Sequence, residues 1–334
     1  MERRDPSRAG APDDPVVRVR GLGKQYGGRT ILGRLDLDIA PGETYALLGP
    51  NGAGKSTAIE ILEGFRRPDA GEVRVLGQDP LTAPRSWRAG IGIVAQNTGD
   101  FGPYTPRELL TRFGGLYPRP RDVDEVLELV GLQDRAGVRA TKLSGGQKRR
   151  LDVALGIVGR PELVFLDEPT TGFDPEARRQ FWAMLRGLAD GGASILLTTH
   201  YLDEAAQLAD RVGVLSGGAL VAEAPPALLG GAEARVPVVS WRDASGVLRE
   251  QRTERPGDLV ARLCSGSGAD GAEPAELEIR RPSLEDIYLG LIGAEGAAAG
   301  SEGAAAGPEG AAAGSDGPDP APHRGAHERT EQPA

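Results

Sequence analysis

The sequence predicts an α/β protein with a mainly parallel sheet covered by helices, and three observations predict it. Short apolar runs recur at "TYALL", "EVRVLG", "GIGIVAQ", "LVFLDEP", "ASILLTTH" and "RVGVLSGG", with helical patterns between several of them. The first of these runs leads through a glycine-rich loop into a helical pattern, the succession a parallel sheet needs. With 334 residues, 39% hydrophobic and 26% charged, the chain can bury one sizeable core and a smaller appendage.

Each segment has its own reason. Residues 1–14, rich in Pro, Arg and Asp, read as a disordered leader. The alternation of "VVRVRGL" and "LDLDI" predicts two strands, closed by the turn "APGE". Residues 103–159 read as nearly all helical; Thr105, Pro106 and Glu108 make a capping box with proline at the first helical position. After about residue 230 the pattern changes. "ARVPVVSW", "VLREQR", a helix near "PGDLVARL", "AELEIR" and "SLEDIYLGLIG" predict a small α+β domain over 231–293. From residue 294 "EGAAAG" occurs three times, with Glu295, Glu302 and Glu309 seven apart. The repeat carries no large apolar residue for a coiled-coil seam and two glycines per unit, so 294–334 reads as a disordered low-complexity tail.

Composition excludes several classes. No window reaches the roughly 18 apolar residues of a membrane span, and the N-terminus lacks the apolar core of a secretory signal, which predicts a cytoplasmic location. Cys264 is the single cysteine, so intrachain disulfides and clustered-thiol metal sites are excluded. Of the net charge of −9, the segment from Ala294 carries −5, with seven acids against two arginines. The folded part is only mildly acidic, and the charge gives no support for a nucleic-acid partner.

"GPNGAGKST" fits the phosphate-binding pattern G-x-x-x-x-G-K-[ST] between a predicted strand and a predicted helix. Gly49, Pro50, Asn51, Gly52, Ala53 and Gly54 would let successive backbone N–H groups converge on phosphate oxygens at a helix N-terminus. Lys55 can reach the terminal phosphates, and the hydroxyl of Ser56, next to Thr57, can complete a Mg²⁺ shell. The chain has four lysines against 35 arginines, and one of the four stands where a compact ammonium is required.

"LVFLDEP" ends an apolar strand in two acids: at the carboxyl end of a parallel strand Asp167 would point toward Mg²⁺, through water, and Glu168 toward the γ-phosphate as a general base for water. Simple turn capping is their other reading. His200, ending "ASILLTTH", can bond the γ-phosphate or hold the attacking water; away from such a site it reads as a packed or surface histidine. Gln96 ends another strand at the same sheet edge. Tyr26, 29 residues before Lys55, can stack on a base for about 1–3 kcal/mol, or be an ordinary strand-end tyrosine.

Ser144 and Gln147 of "LSGGQ" fit a second capping box, but capping leaves Gly145 and Gly146 unexplained. Paired glycines weaken a helix unless bare backbone must approach something closely. This second anion-binding helix start serves best by closing the opposite face of a triphosphate held by another subunit. Lys148, Arg149 and Arg150 read as a solvated helix face or a phosphate-side field rather than a nucleic-acid patch.

The chain resembles the ATP-binding cassette (ABC) ATPases over about 16–229: the phosphate loop, Gln96, "LSGGQ", "LVFLDEP", "GFDP" and His200 follow that family's order. The resemblance implies a P-loop NTPase cassette over 15–230, with an antiparallel β subdomain and an inserted helical subdomain at 103–159. It implies ATP and Mg²⁺ as cofactors, Gln96 in the metal shell and coupled to the transport subunit, and Tyr26 on adenine. Two cassettes would meet head to tail, as a homodimer or a pair, with Ser144, Gly146 and Asp174 of one closing on ATP held by Lys55 of the other. Phe173 departs from the Leu usual before the Asp of "GFDP", which bears on interface packing. "EILEGFRRPDAGEVRVLG" and "PSLEDIYLGLIG" are similar to the daunorubicin-resistance branch of drug and antibiotic exporters, implying a separate membrane permease and a place on the cytoplasmic face of the membrane. A carbohydrate or lipid exporter keeps the same chemistry. DNA-repair members would carry a long coiled-coil insertion and translation-factor members two cassettes, and the chain has neither.

Overall fold

The computed structural model describes residues 14–96, 99, 101–243, 245–266 and 274–302. All of the leader but Asp14, and all of the tail beyond residue 302, lie outside the described residues. Among the described residues, those up to Gly296 form one compact unit, and Ala297–Glu302 belong to a second. The first unit holds every strand of the described residues.

β1 (Val17–Tyr26) and β2 (Arg29–Ile39) pair antiparallel around Gly27 and Gly28, both at positive φ, where a side chain would be strained. β3 (Thr44–Leu48), α1 (Lys55–Leu62) and β4 (Ala70–Val75) follow, with β4 antiparallel on the far side of β1. β5 (Ile91–Val94) precedes the predicted helical block, which resolves into α2 (Pro106–Gly114), α3 (Val123–Leu129) and α4 (Gly145–Ile157). Then come β6 (Leu163–Asp167), α5 (Pro175–Asp190), β7 (Ser194–Thr198), α6 (Leu202–Leu208), β8 (Arg211–Ser216) and β9 (Ala219–Ala224).

These strands form one nine-stranded sheet in the order β4-β1-β2-β9-β8-β3-β7-β6-β5. From β8 to β5 all neighbours are parallel, whereas the β4-β1-β2 edge and the β9-β8 pair are antiparallel. The architecture is the one expected. Tyr45 and Leu47 of β3 and Leu163 and Phe165 of β6 enter one core; Ala46, Leu48, Val164 and Leu166 enter the other. A strand covered on both faces must be apolar at every position, which is why these runs do not alternate. Each large side chain so buried contributes about 1.5–3 kcal/mol.

β9 was not expected. Its small, alanine-rich sequence carries weak strand preference, and it pairs with β8 because Gly217 and Gly218, both at positive φ, turn the chain back.

The C-terminal segment matches its predicted elements. α7 (Gly231–Ala234) leads to β10 (Val238–Arg242), β11 (Leu248–Arg252), α8 (Pro256–Gly266) and β12 (Glu278–Arg280), a three-stranded antiparallel sheet ordered β11-β10-β12. α9 (Leu284–Glu302) runs past the expected boundary at residue 293. The correction has a local cause, since alanine is the strongest helix former and each "EGAAAG" supplies three. Ile287 of α9 is buried in the same core as Leu229 and Ala205, so this helix is packed onto the main sheet's helical layer.

Candidate nucleotide site and its signature helix

The carboxyl ends of the parallel strands meet one cavity of about 820 Å³. Its wall holds Tyr26, the loop residues Gly49 to Gly52 and Gly54 to Thr57, and the strand-end residues Gln96, Glu168 and His200. This is the crevice where open parallel sheets bind ligands. Ala53 is buried behind the loop instead, 6% exposed. Gly54 sits at φ 104, and a Cβ there would meet Leu32 and the Ile31 carbonyl, so no other residue fits the turn.

Lys55 reaches back over its own loop, donating to the Gly49 carbonyl at 2.7 Å and the Pro50 carbonyl at 3.1 Å. Burial lowers its pKa, and the nearby carboxylates of Glu168 and Asp167 oppose the shift. The ammonium thus stands among acceptors that phosphate oxygens can replace. Ser56 Oγ donates to Asp167 Oδ2 at 3.4 Å, and Thr198 Oγ1 donates to Asp167 Oδ1 at 2.5 Å. Among the described residues no group of three or more His, Cys, Asp or Glu is placed to hold a metal ion. A hydroxyl beside one carboxylate is nonetheless the hard-oxygen pair that suits Mg²⁺, which takes its other ligands from phosphate and water.

Glu168 is the best-supported acid of the site. Its Oε2 accepts from Gln96 Nε2 at 3.1 Å and Thr171 Oγ1 at 3.3 Å, its Oε1 lies 3.4 Å from His200 Nδ1, and its N–H donates to the Thr198 carbonyl at 3.1 Å. Its backbone lies at φ 44, a region glycine favours, so the fold imposes strain at this residue. Tyr26 is 41% exposed, with the Lys24 ammonium 5.3 Å and the Arg66 guanidinium 5.4 Å from its ring centre.

Ser144, Gly145, Gly146, Gln147 and Asp174 do not line this cavity. Ser144 caps α4, and the full capping box with Gln147 is present. An ideal Cβ on Gly145 would meet nothing within 4 Å, and one on Gly146 only the Phe173 ring, at 4.0 Å. The two glycines therefore do not answer to crowding within this chain. Asp174 caps α5, accepting from the N–H groups of Glu176 and Ala177. The Phe173 ring meets Phe181 edge-on, centroids 5.4 Å apart and planes at 86°.

The ABC transporter family matches residues 32–171. A daunorubicin resistance ATP-binding protein of Streptomyces coeruleorubidus is 35% identical over 84% of this chain and 96% of its own length. The chain belongs to the ABC transporter family. A Nod factor export ATP-binding protein of Paraburkholderia xenovorans is 38% identical over 84% of this chain and 98% of its own length. The daunorubicin/doxorubicin resistance ATP-binding protein of Streptomyces peucetius is 44% identical over 62% of this chain and 64% of that protein. Among solved structures, a protein from Clostridium perfringens that is part of the cbiONQ ABC transporter complex is 27% identical, with a TM-score of 0.58, over 64% of this chain and 90% of that one. A dimeric post-hydrolysis cassette bound to ADP and phosphate, 24% identical with a TM-score of 0.56 over 63% of this chain and 98% of that one, shares the fold. This ABC protein is an ATP-hydrolysing, nucleotide-binding subunit of a transporter.

Sequence reading missed three features of this ABC cassette. Arg149, read as part of a solvated helix face or a phosphate-side field, is 4% exposed, because carbonyl oxygens from two distant strand ends surround it; Lys148 and Arg150 do reach the surface more. Thr171 and Thr198 hold the two acids, and only their place in strand-end motifs hints at it. Tyr288 and Ile292 of α9 complete the cavity wall, with no local signal to find them by.

Proposed function

We propose that this cassette is the ATPase of an exporter of drugs or antibiotics, acting through a separate membrane permease at the cytoplasmic face of the membrane. The observation that carries the reading is the division of the motifs: Lys55, Gln96, Glu168 and His200 share one cavity, while Ser144 to Gln147 and Asp174 lie outside it. Such a half-site is completed by a second copy presenting its exposed LSGGQ helix start to the γ-phosphate. Resemblance to relatives named for daunorubicin resistance, one of them at 44% identity, supports the drug cargo.

In this mechanism Tyr26 stacks on adenine, the N–H groups of the loop bind the phosphates, and Lys55 exchanges the Gly49 and Pro50 carbonyls for phosphate oxygens. Glu168 accepts the proton of the attacking water, while Gln96 and His200 fix its two carboxylate oxygens. Ser56, Asp167 and Gln96 are the residues that would hold Mg²⁺, which supplies charge neutralisation on the transferring phosphoryl group. Among the described residues no helix is long and apolar enough to cross a membrane, so a transport path lined by spanning helices would come from a partner.

A second reading, export of a cargo other than a drug, is favoured by relatives named for Nod factor export at 37–38% identity. Co-expression with a candidate permease separates the two. Drug-stimulated ATP turnover and lowered daunorubicin accumulation in cells support the first reading; turnover indifferent to drugs supports the second. Failure to bind any membrane protein would remove both.

A further inference from the structure

Arg149 lies on α4 just beyond the LSGGQ turn, buried with its charge. Removing a guanidinium from water is costly unless its donors are all engaged. Here each of its three nitrogens donates to a backbone carbonyl rather than to a close carboxylate. Nε donates to the Pro169 carbonyl at 3.0 Å and Nη2 to the Asp167 carbonyl at 2.9 Å. Nη1 donates to the Ala95 carbonyl, with the Gln96 carbonyl at 3.5 Å. The Asp152 carboxylate stands farther off, 4.0 Å from Nη1.

Asp167 and Pro169 flank Glu168. One planar fork therefore holds the carbonyls on both sides of the strained residue, and a third at the end of β5, next to Gln96, whose amide binds the Glu168 carboxylate. Five donors in fixed directions suit a guanidinium to this task, and no other side chain supplies them. The same helix begins with the Ser144–Gln147 turn, so one helix and one side chain link that turn to the backbone on both sides of Glu168.

We propose that Arg149 is a positioning residue for hydrolysis: it sets the backbone around Glu168 so that the carboxylate faces the nucleotide cavity, and it ties that setting to the LSGGQ turn of its own chain. The inference rests on Glu168 being the carboxylate that activates water.

The test compares Arg149→Gln, Arg149→Lys, Glu168→Gln and the double variant Arg149→Gln/Glu168→Gln in full-length protein. Read for each are kcat, KM for MgATP and the melting midpoint. For Arg149→Gln, assayed well below its own midpoint, kcat falls about 10- to 100-fold while KM stays within about threefold, the split expected when geometry rather than binding is lost. Arg149→Lys, keeping the charge without the fork, falls between. In the double variant the residual rate matches that of Glu168→Gln alone, since Arg149 acts through that residue.

A folded Arg149→Gln protein with kcat within about twofold of the parent overturns the proposal. So does a further full loss on the Glu168→Gln background. If Arg149→Gln does not fold, Arg149→Lys decides, and a folded variant with parental kcat and KM overturns it. Parental turnover by Glu168→Gln removes the catalytic reading and this inference together, whereas an inactive Glu168→Gln beside an active Arg149→Gln removes the inference alone.

Discussion

Gln96 Nε2 donates to Glu168 Oε2 across 3.1 Å, joining the ends of two adjacent parallel strands, β5 and β6, by one side-chain bond. The bond matters because Glu168 has few ways to turn: His200 approaches its other oxygen at 3.4 Å and its backbone is pinned to Thr198. The carboxylate is thus aimed before substrate arrives, as preorganised catalysis requires.

Glu168→Gln keeps the size and the hydrogen bonds of the side chain and removes its basicity. Steady-state hydrolysis falls about 10²- to 10⁴-fold, the range for a lost general base, while ATP still binds. Phosphate release and equilibrium binding of labelled ATP check the two halves separately.

Lys55→Ala removes the ammonium that now bridges the Gly49 and Pro50 carbonyls. ATP affinity and turnover both fall, at least about 10-fold in affinity for the loss of a charge-assisted bond. Calorimetric titration with MgATP measures the first, and a melting midpoint close to the parent's shows that the fold is intact.

β5 lies against α4 through two glycines. A methyl on Gly92 would press on the Gly156 carbonyl oxygen and stand 3.1 Å from Pro161 Cγ. Gly92→Ala therefore destabilises the protein by about 1–3 kcal/mol, the cost of overpacking a filled core. Urea titration gives the difference, and Gly187→Ala, where the added methyl meets nothing within 4 Å, is the control that does not lose stability.

Glu204 is fully buried and accepts from the Trp182 indole at 3.1 Å. Burial raises its pKa above the ordinary 4.5, partly opposed by the Trp182 bond and by the nearby Thr199 hydroxyl and Arg178 charge. A carboxyl with a raised folded pKa binds its proton more tightly in the native state. Its contribution to stability is fully present below about pH 4.5 and is lost as pH rises through the folded value. Unfolding free energy accordingly declines across that window in the parent, and Glu204→Gln flattens the decline. Denaturant titrations at pH 5, 6, 7 and 8 read the slope.

Much of the site was legible because its motifs are backbone requirements. The loop from Gly49 to Thr57 needs glycines at fixed steps, and the acids of "LVFLDEP" must stand at the end of an apolar strand. The parallel strands were legible because burial on both faces leaves no polar position in them. What escaped depended on distant partners. Arg149 looks like any basic helix residue until carbonyls from residues 95, 167 and 169 surround it. β9 lacks strand-forming residues and owes its state to a glycine turn and to β8. Tyr288 joins the cavity from a helix more than 200 residues after the loop, and no local pattern announces that.

The central claim is that each nucleotide is hydrolysed between two copies of the chain. Gly146→Asp tests it, because a Cβ at Gly146 meets only the Phe173 ring, at 4.0 Å, and a melting midpoint close to the parent's shows that the fold is intact. Lys55→Ala and Gly146→Asp proteins are each inactive alone. Mixed in equal amounts, they recover about a quarter of parental ATP turnover, since half of the dimers are mixed and each of these has one intact site. A mixture no more active than its separate components would contradict the account.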